Sequence, residues 1–237
     1  MRPTVVIDCF SDTLKNYQGH AIVAVDVIRA TTTAVTAVSS GRRCFPISTI
    51  DDAYRVAERL DGPLLVGELG GAMPYGFDLT NSPAQLAGRE DIDRPVVLLS
   101  TSGTRLIMSA PTGVYVACLR NYQAQIHHLV GRHPKVAVIG AGTRGEFREE
   151  DQMCCAWIAE GLIGVGYEPK DELTEHCVDR WSGVAAEAFV GGKSTEYLRA
   201  TGQLADLDFI LNTVNDTEEV FVRIQDEICP ARELVHA

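Results

Sequence analysis

The chain has 237 residues, of which 46% are hydrophobic and 22% are charged, a composition typical of a globular protein with a well-packed core. Its 32 acidic residues outnumber its 21 basic ones and give a formal net charge of −11. This acidic balance argues against binding to nucleic acid or to an anionic membrane surface, because both need a basic protein face.

Short apolar runs alternate with helical patterns as far as Gly166, which predicts an α/β fold. The predicted strands are Val5–Asp8, Ala21–Val27, Arg43–Ile47, Leu64–Gly67, Val96–Ser100, Gly113–Ala117 and Val136–Gly140. The predicted helices are Thr31–Ser40, Ile50–Leu60, Gly103–Ala110, Asn121–Val130 and Glu149–Gly161. Thr31–Ser40 is rich in the weak helix formers Thr and Val, and its place between an apolar strand and Gly41 favours a helix.

The pattern is weaker in the last third of the chain. It predicts short helices at Ser182–Val190 and Ser194–Thr201, a final strand at Asp206–Leu211 and a tail at Glu218–Cys229. Because no linker or shift in composition marks a boundary, we expect residues 1–237 to form a single domain. Residues 23–47 and 96–119 share the order strand, Thr/Ser-rich turn, helix, Gly, strand, which allows an internal duplication, although α/β units converge on such patterns.

The sequence carries no pattern that favours a membrane or secreted protein. The first eight residues lack the apolar core of a signal peptide, and no run approaches the roughly 18 apolar residues that a membrane span needs. Seven cysteines without Cys-x-x-Cys spacing favour reduced, buried thiols and a cytoplasmic location over disulfides or a zinc site. The sequence is also compatible with a homo-oligomer.

Polar residues follow several predicted strands, where ligands bind in open α/β sheets. These segments are Asp26–Thr33, Gly67–Glu68, Ser100–Thr104 and Gly140–Gly145. Asp26 and Glu68 supply carboxylates suited to Mg²⁺, and Arg29 and Arg144 supply guanidinium groups that match phosphate oxygens. Asp26 interrupts an apolar strand, where an unpaired carboxylate would be costly, which favours a functional or paired role.

Several of these segments have other interpretations. Thr31–Thr33 fit a helix cap as well as an anion site, and the helix dipole alone accounts for acids at Glu149–Asp151. Gly140–Gly145 fits Gly-x-Gly-x-x-Gly, which makes an NAD(P)-dependent oxidoreductase an alternative, although charged residues follow it instead of an apolar helix. Gly192-Lys193-Ser194 resembles the end of a Walker A loop, but Glu187 replaces the first glycine and no strand precedes it, which excludes that motif.

Taken in order, the motifs resemble the 2-phosphosulfolactate phosphatase family, also called ComB-like. Its pattern reads Asp-Val-Leu-Arg-Ala-Thr-Thr-Thr, Gly-Glu-Arg-x-Gly, Gly-Phe-Asp-x-Gly-Asn-Ser-Pro, Thr-Thr-Asn-Gly-Thr, a downstream Asn, Ala-Gly-x-x-Gly and Glu-Asp. The corresponding segments are Asp26–Thr33 with Ile28 for Leu, Gly67–Gly71, Gly76–Pro83, Ser100–Thr104, Asn121, Ala141–Gly142 and Glu150–Asp151. The match covers about residues 5 to 165 and continues more weakly through Asp206–Val220.

The resemblance implies a Mg²⁺-dependent phosphatase whose substrate is a small anionic phosphate ester. The substrate would be a 2-phospho acid, with 2-phosphosulfolactate converted to sulfolactate and phosphate. It also implies a three-layer α/β/α fold with mixed sheets, which accommodates two related, intertwined halves. A relative that kept the loops and lost turnover, and so only binds anions, is the remaining alternative.

The resemblance also assigns roles to single residues. Asp26, Glu68 and Asp151 would hold Mg²⁺ and, with Arg29, form the catalytic set. The phosphate would be bound by Arg29, Arg144, Thr31, Thr32, Thr33, Thr101, Ser102, Gly103 and Thr104, and the substrate would be oriented by Asn81, Ser82 and Asn121. Leu69, Ser102 and Thr80 stand where the family has Arg, Asn and Gly, so we expect weaker recognition of the substrate's second acid group. Direct attack by Asp26 and attack by an activated water are both compatible with this set.

Overall fold

A computed structural model describes residues 2–232. Its strands are β1 (Thr4–Cys9), β2 (Ala21–Val25), β3 (Cys44–Ile47), β4 (Leu64–Gly67), β5 (Val96–Leu99), β6 (Val114–Ala117), β7 (Lys135–Gly140), β8 (Glu168–Pro169), β9 (Phe221–Ile224) and β10 (Glu227–Pro230). Its α-helices are α1 (Ala30–Ser39), α2 (Ile50–Ala57), α3 (Pro83–Ala87), α4 (Gly103–Ser109), α5 (Tyr122–Leu129), α6 (Glu149–Gly164), α7 (Glu172–Trp181), α8 (Lys193–Ala200) and α9 (Leu204–Asn212). Short 3₁₀ helices cover Ser11–Asn16 and Ala186–Phe189. None of the described helices is long and apolar enough to cross a bilayer.

The described strands form one mixed sheet in the order β4-β5-β3-β10-β9-β6-β2-β7-β1-β8. One parallel block contains β4, β5 and β3, and the other contains β6, β2, β7, β1 and β8. The β9–β10 hairpin lies between the two blocks and pairs antiparallel with β6 on one side and β3 on the other. The C-terminal hairpin therefore joins the two blocks into one sheet.

Alternating side chains along the central strands separate two apolar layers. In β1, Val5 and Ile7 pack in one cluster with residues of α5, α6 and α7, whereas Val6 packs in a second cluster with α1 and α4. This alternation follows from the two-residue period of a strand, which sends successive side chains to opposite faces. The layered α/β/α fold predicted above is confirmed, with one mixed sheet in the middle.

Helix α1 forms in spite of a sequence that favours helices weakly. Ala30 to Ala37 are all buried, so tertiary packing outweighs intrinsic propensity. The Thr32 hydroxyl donates to the Val27 carbonyl oxygen at 2.7 Å, and the Thr36 hydroxyl donates to the Thr32 carbonyl oxygen at 2.7 Å. These bonds satisfy hydroxyl groups that would otherwise be buried without a partner.

The predicted strand at Asp206–Leu211 is wrong, because this segment lies in helix α9. Leu207 and Ile210 are buried at a spacing of three, which is the period of a helix and not of a strand. The apolar run was too short to separate the two periods. Helix α7 likewise occupies a segment whose polar sequence predicted no element. Its N-cap is Asp171, whose side chain accepts from the Thr174 N–H.

The predicted tail at Glu218–Cys229 is also wrong, because it contains the β9–β10 hairpin in the middle of the sheet. Charged residues obscured the strand pattern, and Arg223 in β9 is buried. Its guanidinium donates to the carbonyl oxygens of Ile107 at 3.1 Å and Ala110 at 2.6 Å, so a cation is accommodated inside the sheet by backbone acceptors at the end of α4.

The turns after β2 and β5 are built in the same way. After β2, the Thr31 hydroxyl accepts from the Asp26 N–H at 2.9 Å and donates to the Asp26 carbonyl oxygen at 2.8 Å. After β5, the Thr104 hydroxyl accepts from the Ser100 N–H at 2.8 Å and donates to the Ser100 carbonyl oxygen at 2.9 Å. The two segments that share a sequence pattern thus also share a turn, while their origin by duplication stays a prediction.

Candidate active site

Loops that follow β2, β4, β5 and β7 surround one cavity of about 290 Å³. Its walls also include the start of α8. The lining residues are Asp26, Ile28, Arg29, Glu68, Gly70, Gly71, Asn81, Ser100, Thr101, Ser102, Thr143, Arg144, Arg148, Lys193, Ser194 and Tyr197. A cavity of this size, with acids and cations on its walls, suits a small charged ligand.

Asp26 lies at the bottom of the turn between β2 and α1 and is only 5% exposed. One carboxylate oxygen, Oδ1, accepts from the Ala30 N–H at 3.2 Å at the start of α1. Burial raises the pKa of Asp26 above its ordinary range, and the negative charges of Glu68 and Glu150 raise it further. The fold therefore holds a carboxylate in the cavity wall where its ionised form is disfavoured.

Gly103, at the start of α4, allows the turns after β2 and β5 to meet. A Cβ atom at this position would lie 2.2 Å from Oδ2 of Asp26 and 2.5 Å from Cβ of Ala30. No side chain fits at these distances, so only glycine permits this approach.

We expect Gly103→Ala to displace the Asp26 turn and to lower the free energy of unfolding by about 1–3 kcal/mol, the usual cost of overpacking. Chemical denaturation would measure the change. Gly164→Ala in α6 is the matched control, because no atom lies within 4 Å of its added methyl group. Equal effects of the two substitutions would contradict this account of Gly103.

Glu68 joins the loops after β4 and β5. Its Oε1 accepts from the Thr101 N–H at 2.7 Å, and its Oε2 accepts from the Thr101 hydroxyl at 2.9 Å and from the Gly71 N–H at 2.7 Å. The Thr101 hydroxyl in turn accepts from the Gly70 N–H at 2.7 Å. Glu68 thus organises two loops while its side chain remains part of the cavity wall.

Arg29 is held by a helix from the C-terminal part of the chain. One terminal nitrogen of its guanidinium donates to Oδ2 of Asp206 and to the side-chain oxygen of Gln203, and both charged groups are buried. The other oxygen of Asp206 accepts from the Ser82 hydroxyl and, at 3.2 Å, from the Ala84 N–H. Asp206 therefore connects Arg29 in the cavity wall with the first turn of α3.

Two further acids lie behind the cavity. Asp151 is buried in α6, and its Oδ1 accepts from the Val27 N–H at 2.7 Å, which fixes the backbone next to Asp26. Burial raises the pKa of Asp151, and the charges of Asp26 and Glu150 add to the effect. Burial also raises the pKa of Glu150, whose Oε2 has no hydrogen-bond partner among the described residues. Three carboxyl groups are thus crowded in a region of low polarity.

The structure separates the predicted site residues into two groups. Those that line the cavity are Asp26, Arg29, Glu68, Asn81, Thr101, Ser102 and Arg144. Those that lie outside its lining are Thr31, Thr32, Thr33, Ser82, Gly103, Thr104, Asn121 and Asp151. The hydroxyls of Thr31–Thr33 donate to backbone carbonyl oxygens, and the Asn121 side chain bonds the backbone of Cys118 and Val116. These contacts show what the residues do in the fold, and their roles toward a substrate stay predictions.

The cavity wall also contains residues for which the sequence predicted no role. They are Thr143 and Arg148 after β7, and Lys193, Ser194 and Tyr197 in α8. The available signal was the Gly-Lys-Ser sequence at the start of α8, which failed as a Walker A loop for lack of a preceding strand. Its lysine and serine nevertheless reach a cavity built by other strands. Asn81 adds a buried side-chain oxygen without a hydrogen-bond partner in the described part of the chain.

A second, larger cavity of about 1040 Å³ lies elsewhere, next to α5 and to the segments that flank the β9–β10 hairpin. It is lined by residues such as Tyr115, His128 and His133, and the Tyr115 hydroxyl bonds ring nitrogens of both histidines. No residue predicted for the site lines it, so the smaller cavity is the candidate active site.

An α/β sheet whose strand-end loops gather carboxylates and cations around one small cavity has the arrangement in which open α/β proteins build their ligand sites. The sequence identifies the family more closely. Residues 9–223 match the family described as 2-phosphosulpholactate phosphatase, and the chain belongs to this family.

Relatives with curated names agree with this assignment. The chain is 38% identical over 160 residues to a probable 2-phosphosulfolactate phosphatase of Pseudothermotoga lettingae, covering 67% of this chain and 66% of the relative. It is 34% identical over 145 residues to one of Carboxydothermus hydrogenoformans, covering 60% of each chain. It is 33% identical over 197 residues to one of Deinococcus radiodurans, covering 81% of this chain and 79% of the relative. The first two alignments thus span less than two thirds of the relatives' length. No comparison supports the oxidoreductase alternative.

Proposed function

We propose that this protein is a phosphoric monoester hydrolase that uses Mg²⁺ to release phosphate from a small 2-phospho acid, with 2-phosphosulfolactate as the substrate that fits best. The observation that carries the proposal is the cavity itself, whose lining contains Asp26 and Glu68 together with Arg144, Arg148 and Lys193. Acids suit a metal ion, and cations suit the anionic groups of such a substrate. The names of the relatives support the same reaction.

The carboxylates at the cavity fit a Mg²⁺ ion that is bound in the way typical of phosphoryl-transfer sites. Among residues 2–232, no group of three or more His, Cys, Asp or Glu side chains forms a ready-made metal cage. Mg²⁺ usually needs only one or two carboxylates and takes its other ligands from water and phosphate oxygens. Crowded buried carboxyl groups and the unpartnered Oε2 of Glu150 indicate a surplus of negative charge that a divalent cation would offset. Asp26 and Glu68 are the cavity-lining acids that would hold it, and Asp151 would contribute from behind them.

Hydrolysis forms a bond from a water oxygen to phosphorus and breaks the ester P–O bond, and one proton passes to the departing alcohol. Bound Mg²⁺ would neutralise charge on the phosphoryl oxygens. Arg29 and Arg144 would bind those oxygens, and the fixed position of Arg29 on Asp206 avoids reorganisation during the reaction. Burial raises the pKa of Asp26 in the metal-free protein, and a bound cation would favour its ionised form, so Asp26 and Glu68 would hold Mg²⁺ next to the attacking water.

A panel of phosphate esters tests the proposal. We expect the protein to release phosphate from 2-phosphosulfolactate and from phospholactate, to lose the activity in EDTA and to regain it on addition of Mg²⁺. Phosphate release is measured directly, with phenyl phosphate as a substrate that lacks a second acid group. Inactivity toward all esters in the presence of Mg²⁺ would contradict the proposal and favour a protein that only binds anions.

A further inference from the structure

One wall of the cavity carries cations that share a single acid. Arg148, just before α6, and Lys193, the first residue of α8, both line the cavity. The Arg148 guanidinium donates to Oε2 of Glu146 at 2.8 Å, and Lys193 Nζ donates to Oε1 of the same carboxylate at 2.5 Å. Arg144 also lines the cavity and makes no ion pair with any described residue. Glu146 is thus the ion-pair partner of two of the cations that line the cavity.

The bonds to Glu146 are easy to exchange. Glu146 is 45% exposed and Lys193 is 70% exposed at their side chains, and ion pairs between exposed groups contribute little to stability. Arg148 differs because its side chain is only 13% exposed and its Nε has no hydrogen-bond partner in the described part of the protein. The Nε–H donor of Arg148 is thus unused, and it lies next to an exposed Lys193–Glu146 ion pair that can break at little cost in stability.

The loop after β4 adds no cation to the lining of the cavity. Its Leu69 is 45% exposed, and its Gly70 and Gly71 line the cavity. An anionic group that enters the cavity away from Asp26 and Arg29 would therefore find its countercharge on the Arg148–Lys193 side.

We propose that Arg148 and Lys193 form a subsite for the second acid group of the substrate, a carboxylate or sulfonate, and that Glu146 holds this subsite until the substrate displaces it. The proposal rests on the function proposed above and names the residues that select a phosphate ester with an additional negative charge. The guanidinium of Arg148 and the ammonium of Lys193 supply charge-assisted hydrogen bonds to the incoming oxygens. The Glu146 carboxylate therefore competes with the second acid group of the substrate for the same two cations.

The test compares two esters in two variants. With Lys193→Gln, we expect kcat/KM for 2-phosphosulfolactate to fall about tenfold more than kcat/KM for phenyl phosphate, because only the former has a second acid group for Lys193 to bind, and one charge-assisted bond corresponds to about a factor of ten. The loss should lie mainly in KM. With Glu146→Gln, the competitor loses its charge, and we expect KM for 2-phosphosulfolactate to decrease.

Matched controls come from a neighbouring ion pair of the same helix. Arg199 and Glu196 in α8 form an exposed pair of 2.5 Å, and neither residue lines the cavity. Arg199→Gln and Glu196→Gln should leave the ratio of kcat/KM for the two esters unchanged. Equal losses for both esters in Lys193→Gln, or an unchanged KM in Glu146→Gln, would overturn the subsite.

Failure of the proposed function would look different. If the wild-type protein released phosphate from neither ester, the reaction would be wrong, and calorimetric titration with sulfolactate would still report on the subsite. Weaker sulfolactate binding in Lys193→Gln than in Arg199→Gln would support the subsite without turnover. Absence of sulfolactate binding to the wild-type protein would overturn it.

Discussion

Asp26→Asn should reduce Mg²⁺-dependent phosphate release by about 10³-fold or more while the protein stays folded, because it removes a negatively charged ligand of the metal ion, whose stabilisation of the transition state amounts to several kcal/mol. Asn retains a side-chain oxygen that can accept from the Ala30 N–H, so the turn after β2 should keep its shape. Initial rates of phosphate release from 2-phosphosulfolactate measure the effect. Activity above about a tenth of the wild-type value would contradict the assignment of Asp26.

The same substitution should make the metal-free protein more stable at alkaline pH. Burial, with the charges of Glu68 and Glu150, raises the pKa of Asp26 in the folded protein to about 7, above the ordinary value of about 4 in the unfolded chain. The folded state thus binds the proton more tightly, and stability falls as pH rises from about 4 to about 7. Above that range the wild-type protein carries the full cost of a buried carboxylate, which Asn removes.

Thermal unfolding in EDTA at pH 5 and pH 8 would measure this difference. We expect Asp26→Asn to unfold at a higher temperature than the wild-type protein at pH 8, with a smaller difference at pH 5. Asp208→Asn, in an exposed position of α9, is the matched control for removing one negative charge. A lower unfolding temperature for Asp26→Asn than for Asp208→Asn at pH 8 would contradict the account. Loss of activity together with a gain in stability would separate a functional acid from a structural one.

Strand-end chemistry was predictable because it depends on short segments of sequence. Asp26 after β2, Glu68 after β4 and Arg144 after β7 each follow an apolar run, and the carboxyl ends of strands are where α/β proteins bind ligands. The structure brings all three to one cavity. The direction of individual side chains was not predictable, since Thr31 and Thr104 in similar turns direct their hydroxyl groups to the backbone. A hydroxyl that caps a strand end and one that binds an anion look the same in sequence.

The C-terminal part of the chain was predicted least well because its contacts are distant in sequence. Lys193 reaches a loop that contains Glu146, and Asp206 reaches Arg29, which lies 177 positions earlier. No local pattern encodes such pairs. The β9–β10 hairpin was missed for a related reason: its strands are stabilised by pairing with β6 and β3, and buried Arg223 breaks their apolar pattern.

Asp206→Ala should be the most destabilising single substitution among those considered, at about 3–5 kcal/mol, because it leaves the buried guanidinium of Arg29 without its counter-ion. It also removes the acceptor of the Ser82 hydroxyl and the Ala84 N–H. Glu168→Ala breaks the exposed pair with Arg2 and should cost at most about 1 kcal/mol. Chemical denaturation of both variants measures the contrast, and equal costs would contradict the importance of burial.

A double substitution then separates charge from packing. If the cost of Asp206→Ala comes from the unpaired guanidinium, Arg29→Met together with Asp206→Ala should be less destabilising than the sum of the single changes, since no buried charge is left. Additive costs would instead assign the effect to the hydrogen bonds of Ser82 and Ala84.

Arg29→Lys offers a functional counterpart. It keeps the charge but loses the planar group that can bind Asp206 and a phosphate oxygen at once, so we expect a loss of activity that exceeds its loss of stability. Together these variants test whether Asp206 is the reason that Arg29 is already fixed in the cavity wall before a phosphate arrives.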